Sequence, residues 1–196
     1  RASESFLYRA EKERDYIQRR MSAHEQILRG AAAFFEASDD VSRDEWRRYV
    51  TRLQLGGNLH GTQGPGLAVV FAPEAKAAHE ASLRADGISP HEIRPPGQRD
   101  QYSSVTYLEP QNERNRRAIG YDMLTDSARR AAMERARDSG LPAMTGKVIL
   151  RLEPEGPERQ PGFLIYLPVY RTDLPRDTIE QRRHALLGFV FSPFRA

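Results

Sequence analysis

The chain has 196 residues, enough for one well-packed core with an appended element. It is 39% hydrophobic and 29% charged, and no run approaches the roughly 18 apolar residues of a membrane span. Cysteine is absent, which excludes disulfides, thiol chemistry and cysteine metal sites, and the net charge of +3 comes from 30 basic residues mixed among 27 acidic ones, unlike the acid-poor basic stripe of a nucleic-acid module.

The sequence opens on Arg1, with no Met and no signal-peptide pattern. It therefore reads as a fragment, with a membrane anchor expected outside it. Residues 3 to 37 read as one helix. Leu7, Ala10, Arg14, Ile17, Met21, His24, Leu28, Ala31 and Phe35 recur at spacings of three and four, giving one narrow seam. From Ile27 the helix becomes apolar enough to dock on a domain. At 1.5 Å per residue it would be about 50 Å long, more than a small core needs. It is expected to be a stalk that pairs with a second copy.

Residues 38 to 42 break this helix. Ser42 and Glu45 form a capping box that starts a second helix running to about Leu55. Its apolar face carries Trp46, Tyr49, Val50 and Leu53, and Trp46 reads as core. Residues 61 to 66 lack the Gly-Lys-Ser/Thr of a phosphate loop, and Pro65 removes an N–H, so they read as a turn.

A strand follows from Leu67 to Pro73, then a helix from Glu74 to Ala85 and a Pro-rich loop to Gly97. The second strand runs from Tyr102 to Leu108, alternating in character. A polar connector, 111 to 117, leads to a helix capped by Asp122 or Asp126 and ending at Ser139-Gly140. The remaining strands are expected from Met144 to Leu152, Gly162 to Arg171 and Ala185 to Phe191. Polar segments at 153 to 161 and 172 to 183 join them.

Five strands, with a helix after the first and another between the second and third, are not a doubly wound pattern. The short links among the last three favour an antiparallel sheet. The expected fold is α/β of the α+β kind: a long N-terminal stalk helix (1–40) and a PAS-like domain (41–196). The domain would have a five-stranded antiparallel sheet with flanking helices, packed mainly on one face.

Catalytic patterns are missing. The histidines at 24, 60, 79, 91 and 184 have no metal-ligand spacing, and no Gly-x-Ser-x-Gly occurs. The sequence calls for no metal or cofactor. Asp100, Glu109 and Asp122 could pair as acid and base. Asp122 reads better as a helix cap, and Glu109, at a strand end beside Pro110, as the better functional candidate. Tyr102, Thr106, Tyr166 and Tyr170 offer hydroxyls, the tyrosines on apolar bodies that serve equally well as core. The arginine-rich run from Arg129 to Arg137 reads as a solvated face.

Several segments, in order, resemble the CHASE domain, the extracytoplasmic ligand-sensing module of histidine kinases and nucleotide cyclases. They are the long helix, Glu45-Trp-Arg-Arg-Tyr-Val50, Ala72-Pro73, Val105-Thr-Tyr-Leu-Glu-Pro110, and Asn115 with Ala118-Ile-Gly-Tyr-Asp-Met123. The helix Arg129 to Arg137, Leu167-Pro-Val-Tyr170 and Leu187-Gly-Phe-Val-Phe191 complete the set.

The resemblance implies a stalk helix followed by two PAS-like units, with ligand in the membrane-distal one. This chain would hold the stalk and that distal unit. It would be not an enzyme but the periplasmic sensor of an inner-membrane receptor, whose output domain is a histidine kinase or a diguanylate cyclase/phosphodiesterase. It would be a homodimer through the N-terminal helix, joined to the membrane by helices outside the chain. Carried onto this sequence, a small-molecule site between the central strands and the connector implicates Tyr102, Glu109, Met123, Thr145, Lys147, Tyr166 and Pro168. Lys147 would meet an anionic ligand or Glu109. The alternative is a dimerisation or partner-binding module with a filled core and no small ligand.

Overall fold

The computed structural model describes residues 2–55, 64–89, 91–149 and 161–195. Helix α1 spans Ala2–Glu36 and α2 Arg43–Leu55. Strand β1 is Gly66–Phe71, α3 Lys76–Ala85 and β2 Tyr102–Leu108. A single turn, α4 (Glu113–Arg116), precedes α5, Ser127–Ser139. Then come β3 (Ala143–Met144), β4 (Val148–Ile149), β5 (Pro161–Tyr170), α6 (Ile179–Ala185) and β6 (Leu186–Arg195). The helix stop expected at 56–60, the start of the turn at 61–63, and most of the polar segment before β5 lie outside the described residues.

The strands form one sheet in the order β2-β1-β6-β5-β3, with β4 also on β5, and every strand pairing is antiparallel. Among the described residues six strands appear where five were expected, because the third, whose expected end at 150–152 lies outside the described residues, is broken in two. Both pieces follow β5, Met144 opposite Ile165 and Val148 opposite Gly162. The break is at Thr145. Its N–H donates to the Leu164 carbonyl at 2.9 Å, but its side-chain Oγ1, not its carbonyl, accepts from the Leu164 N–H at 3.0 Å. A hydroxyl has replaced one rung of the ladder, and Gly146 and Lys147 swing out to solvent.

Helices cover both faces of the sheet rather than mainly one. The cause lies in β5, which is apolar on both sides and must be buried on both. Ile165, Leu167 and Val169 pack with Val190 against Leu28, Ala31, Ala32 and Phe35 of α1 and Trp46 and Val50 of α2. On the other side Leu164 and Tyr166 join Phe189 and Phe191 under Met123, Leu124 and the α5 residues Ala132, Met133 and Ala136. The second half of α1 thus docks as its composition requires. In its first half the described side chains, Tyr8 and Tyr16 among them, are exposed.

The α1–α2 junction is held by aromatic packing. Trp46 is 1% exposed, with Phe35 4.9 Å and Tyr49 5.5 Å away between ring centroids, and Phe34 stacks on Tyr49 at 4.7 Å. Gly30 permits this approach, since a Cβ there would lie 2.8 Å from the Tyr49 hydroxyl. The capping box of α2 is formed in both directions: Ser42 N–H donates to Glu45 Oε2 at 2.8 Å, and Glu45 N–H to Ser42 Oγ at 3.2 Å.

The segment expected as a loop from 172 to 183 contains α6. Thr178 caps it and Gln181 reaches back to the Thr178 backbone, a second capping box.

Two histidines, His24 buried and His79 half-buried, tie helices to strands. His24 Nδ1 of α1 is 2.9 Å from Ser192 Oγ of β6, and His79 Nε2 of α3 is 2.9 Å from Ser104 Oγ of β2. Burial lowers both imidazoles, with Arg20 adding at His24. At His79 Arg43 adds and Glu80 opposes, and the group is held at about 4.

Two tests follow from this packing. Trp46→Ala should cost about 3–5 kcal/mol in urea unfolding, the usual range for emptying a buried Trp site. Because His79 is depressed, the unfolded chain takes up the proton first as pH falls. The stability this group confers is complete above about 6.5 and lost toward about 4. Melting temperature should fall across that window, and His79→Gln should flatten the fall.

Candidate functional site

The connector after β2 lies along the outer edge of that strand. Gly120 N–H donates to the Val105 carbonyl at 2.9 Å, and Val105 N–H to the Tyr121 carbonyl at 3.2 Å. On its far side it pairs with Arg94. Arg94 N–H donates to the Gly120 carbonyl at 2.9 Å, and Asp122 N–H to the Arg94 carbonyl at 2.7 Å. An edge that would otherwise be open is thereby closed.

Asp122 fixes the next turn and is fully buried. Its Oδ1 accepts from the Ser103 N–H at 3.0 Å, the Ser103 hydroxyl at 2.7 Å and the Leu124 N–H at 3.1 Å. The Arg99 guanidinium is 3.6 Å from Oδ2. Asp122 caps the short turn Met123–Thr125, while Asp126 caps α5 by accepting from the Arg129 N–H. Two acids considered for one capping role therefore cap two successive elements.

This turn delivers Met123 to the sheet face. The Tyr166 hydroxyl, wholly buried on β5, donates to Met123 Sδ at 2.9 Å. Burial raises the Tyr166 phenol far above its ordinary range, so it is a donor at all physiological pH. Thr145 is bonded to Leu164, two residues before Tyr166 and on the same face. Its Oγ1 accepts from a backbone N–H, which leaves its proton free to donate. Pro168, opposite Phe189, is next but one along β5 and buried. Met123, Thr145, Tyr166 and Pro168 thus share the α5 side of the sheet.

The other three residues implicated by sequence lie elsewhere. Lys147 is exposed on the break between β3 and β4. Tyr102 is buried at the start of β2, where its hydroxyl donates to the Gly97 carbonyl at 2.8 Å and Arg99 stands over its ring. Glu109 is buried just beyond the end of β2, and its ion-pair partner among the described residues is Arg47 of α2, at 3.7 Å. Burial raises the Glu109 carboxyl, with Arg47 opposing. β2 and β3 are opposite edges of the sheet, so Glu109 and Thr145 are four strand spacings apart, about 19 Å along its surface.

Sequence reasoning missed Arg129. It is 3% exposed, between the Tyr121 ring, 5.7 Å away, and β4, where it donates to the Ile149 carbonyl at 2.7 Å. Its Nη1 is 2.9 Å from Asp126 Oδ2. The signal was present: Arg129, Ala132, Met133 and Ala136 share one helical face, and the last three are apolar. Among the described residues, no group of His, Asp and Glu is placed to hold a metal ion.

The profile of the CHASE domain family matches residues 39–196, from just after α1 to the end of the chain. The chain belongs to this family. CHASE domains are extracellular sensory domains of signalling receptors, not catalytic ones. Among the described residues no helix is long and apolar enough to cross a membrane. No curated protein matches the chain.

Asp122→Ala should strip three donors of their acceptor and cost about 2–4 kcal/mol. Hydrogen exchange should quicken at Ser103, Leu124 and Gly120, while amides in the second half of α1 keep their protection until global unfolding.

Proposed function

We propose that this CHASE-family chain senses a small molecule on the α5 side of its sheet, in a site made by Met123, Thr145, Tyr166 and Pro168 with Lys147 at the rim. Occupancy would pass to an output domain outside the chain, a histidine kinase or a diguanylate cyclase/phosphodiesterase, from a periplasmic position on an inner-membrane receptor. The carrying observation is the Tyr166 hydroxyl. It is completely buried, yet its bond goes to a thioether, a weak acceptor. A ligand acceptor would satisfy that donor better and would move Met123, and with it the connector clamped to β2.

Other features support the wider reading. The order β2-β1-β6-β5, completed by the broken edge strand, fits a PAS-like sheet with its site under the helical connector. Helix α1 precedes the residues that match the family and leaves Tyr8 and Tyr16 exposed, which fits a stalk that pairs with a second copy. A ligand that binds only one arrangement of such stalks would shift the balance between arrangements by its difference in affinity.

Isothermal titration against a metabolite library tests the site. A ligand is expected whose affinity falls about tenfold in Tyr166→Phe, for one lost hydrogen bond of about 1.4 kcal/mol. Tyr107→Phe, on the opposite face, should leave that affinity unchanged. If no compound in the library binds or shifts the melting temperature, the partner-binding alternative, a filled core without small ligand, takes its place.

A further inference from the structure

Arg129 gives the sensing site a chemical preference. Resting on the reading that a ligand occupies this side of the sheet, we propose that Arg129, Tyr166 and Thr145 form the anion-receiving end of the site. The ligand class is then a small organic acid with one carboxylate and an apolar body.

The argument begins with donors and acceptors. Arg129 brings a guanidinium that is always charged and whose fork matches a carboxylate. Tyr166 brings an O–H now spent on sulfur, and Thr145 an O–H whose oxygen already accepts. All three are at least nine-tenths buried. On the same side of the sheet, Met123, Leu164, Phe189 and Phe191 pack with Tyr166 in one apolar cluster. Such a face is rich in donors, and the species that suits it carries acceptors and negative charge at one end and hydrocarbon at the other.

Asp126 holds the place of that ligand. Its Oδ1 caps α5, while its Oδ2 lies against Arg129, and its side chain is one-third exposed. It is thus a carboxylate already seated on the guanidinium, partly in water. A ligand carboxylate would displace Oδ2 without undoing the cap. The rest of Arg129 is held by the Ile149 carbonyl and stays in place. One arginine, already balanced by one aspartate, suits a single carboxylate rather than a phosphate or a dicarboxylate.

The test uses acetate, hexanoate, benzoate and phenylacetate, with phenylacetamide as a neutral match of phenylacetate. At least one of the three larger acids is expected to raise the melting temperature, and phenylacetamide is expected to leave it unchanged. Asp126→Asn keeps a capping oxygen and removes the competing charge, so the same acid should bind about tenfold more tightly, the change for about 1.4 kcal/mol of lost competition. Arg129→Gln should abolish the response.

If Arg129→Gln fails to fold, the Asp126→Asn measurement decides alone. Equal shifts from phenylacetate and its amide, unchanged or weaker binding in Asp126→Asn, or no shift from any acid would each overturn the proposal. A neutral ligand whose binding depends on Tyr166 would overturn the anion preference and leave the sensing site standing. Failure of every compound in the wider library would remove both.

Discussion

Strand β5 is buried on both faces, and the rest of the molecule is arranged by that demand. Its alternate residues cannot be covered by one layer of helices, so the chain supplies two. The α1–α2 pair seals Ile165, Leu167 and Val169. The connector and α5 seal Leu164 and Tyr166. β6 lies alongside over nearly its whole length and is sealed with it. The same constraint makes α1 more than an appendage. Its second half is one wall of a core, and His24 bonds it to Ser192 of β6.

The two layers differ in chemistry. The α1–α2 side is mostly aliphatic and aromatic, with Trp46 at its centre, and also buries the His24–Ser192 pair. The α5 side contains polar groups that an efficient core would leave out: the Tyr166 hydroxyl, the Thr145 hydroxyl, the Arg129 guanidinium and the Asp122 carboxylate. Each costs desolvation, and each is matched locally. Asp122 is matched for structure, with three donors on one oxygen. Tyr166 is matched by a thioether, and Arg129 by the Ile149 carbonyl and a one-third-exposed aspartate. The proposed site rests on these less well matched groups, on the α5 side of the sheet.

Much of this was legible from residue patterns. The capping box at Ser42 and the extent of β2 carried through to the structure, as did the apolar second half of α1 and the core position of Trp46. The two-face alternation of β2 did not, because a bulge at Thr106 puts Val105 and Tyr107 on opposite faces. Other features were legible but were passed over. Thr178 and Gln181 are spaced as a capping box and start α6. Arg129 shares its helical face with Ala132, Met133 and Ala136, which marks it as buried. The break of the third strand was not legible, because it turns on whether a threonine's hydroxyl or its carbonyl receives one N–H from β5.

The sequence by itself determined the elements, because caps, periodicity and turn residues act over a few positions. It also determined the family, through segments in a fixed order. Only the tertiary structure decided which candidates meet. Glu109 and Lys147 look like an ion pair in a list of charges, but they stand on opposite edges of the sheet, and Glu109 faces Arg47. Tyr166 and Met123, 43 positions apart, touch. Strand order and the path of the connector set these distances, and both arise from burying the two faces of β5 at once, a condition on the whole chain that no local run of residues carries.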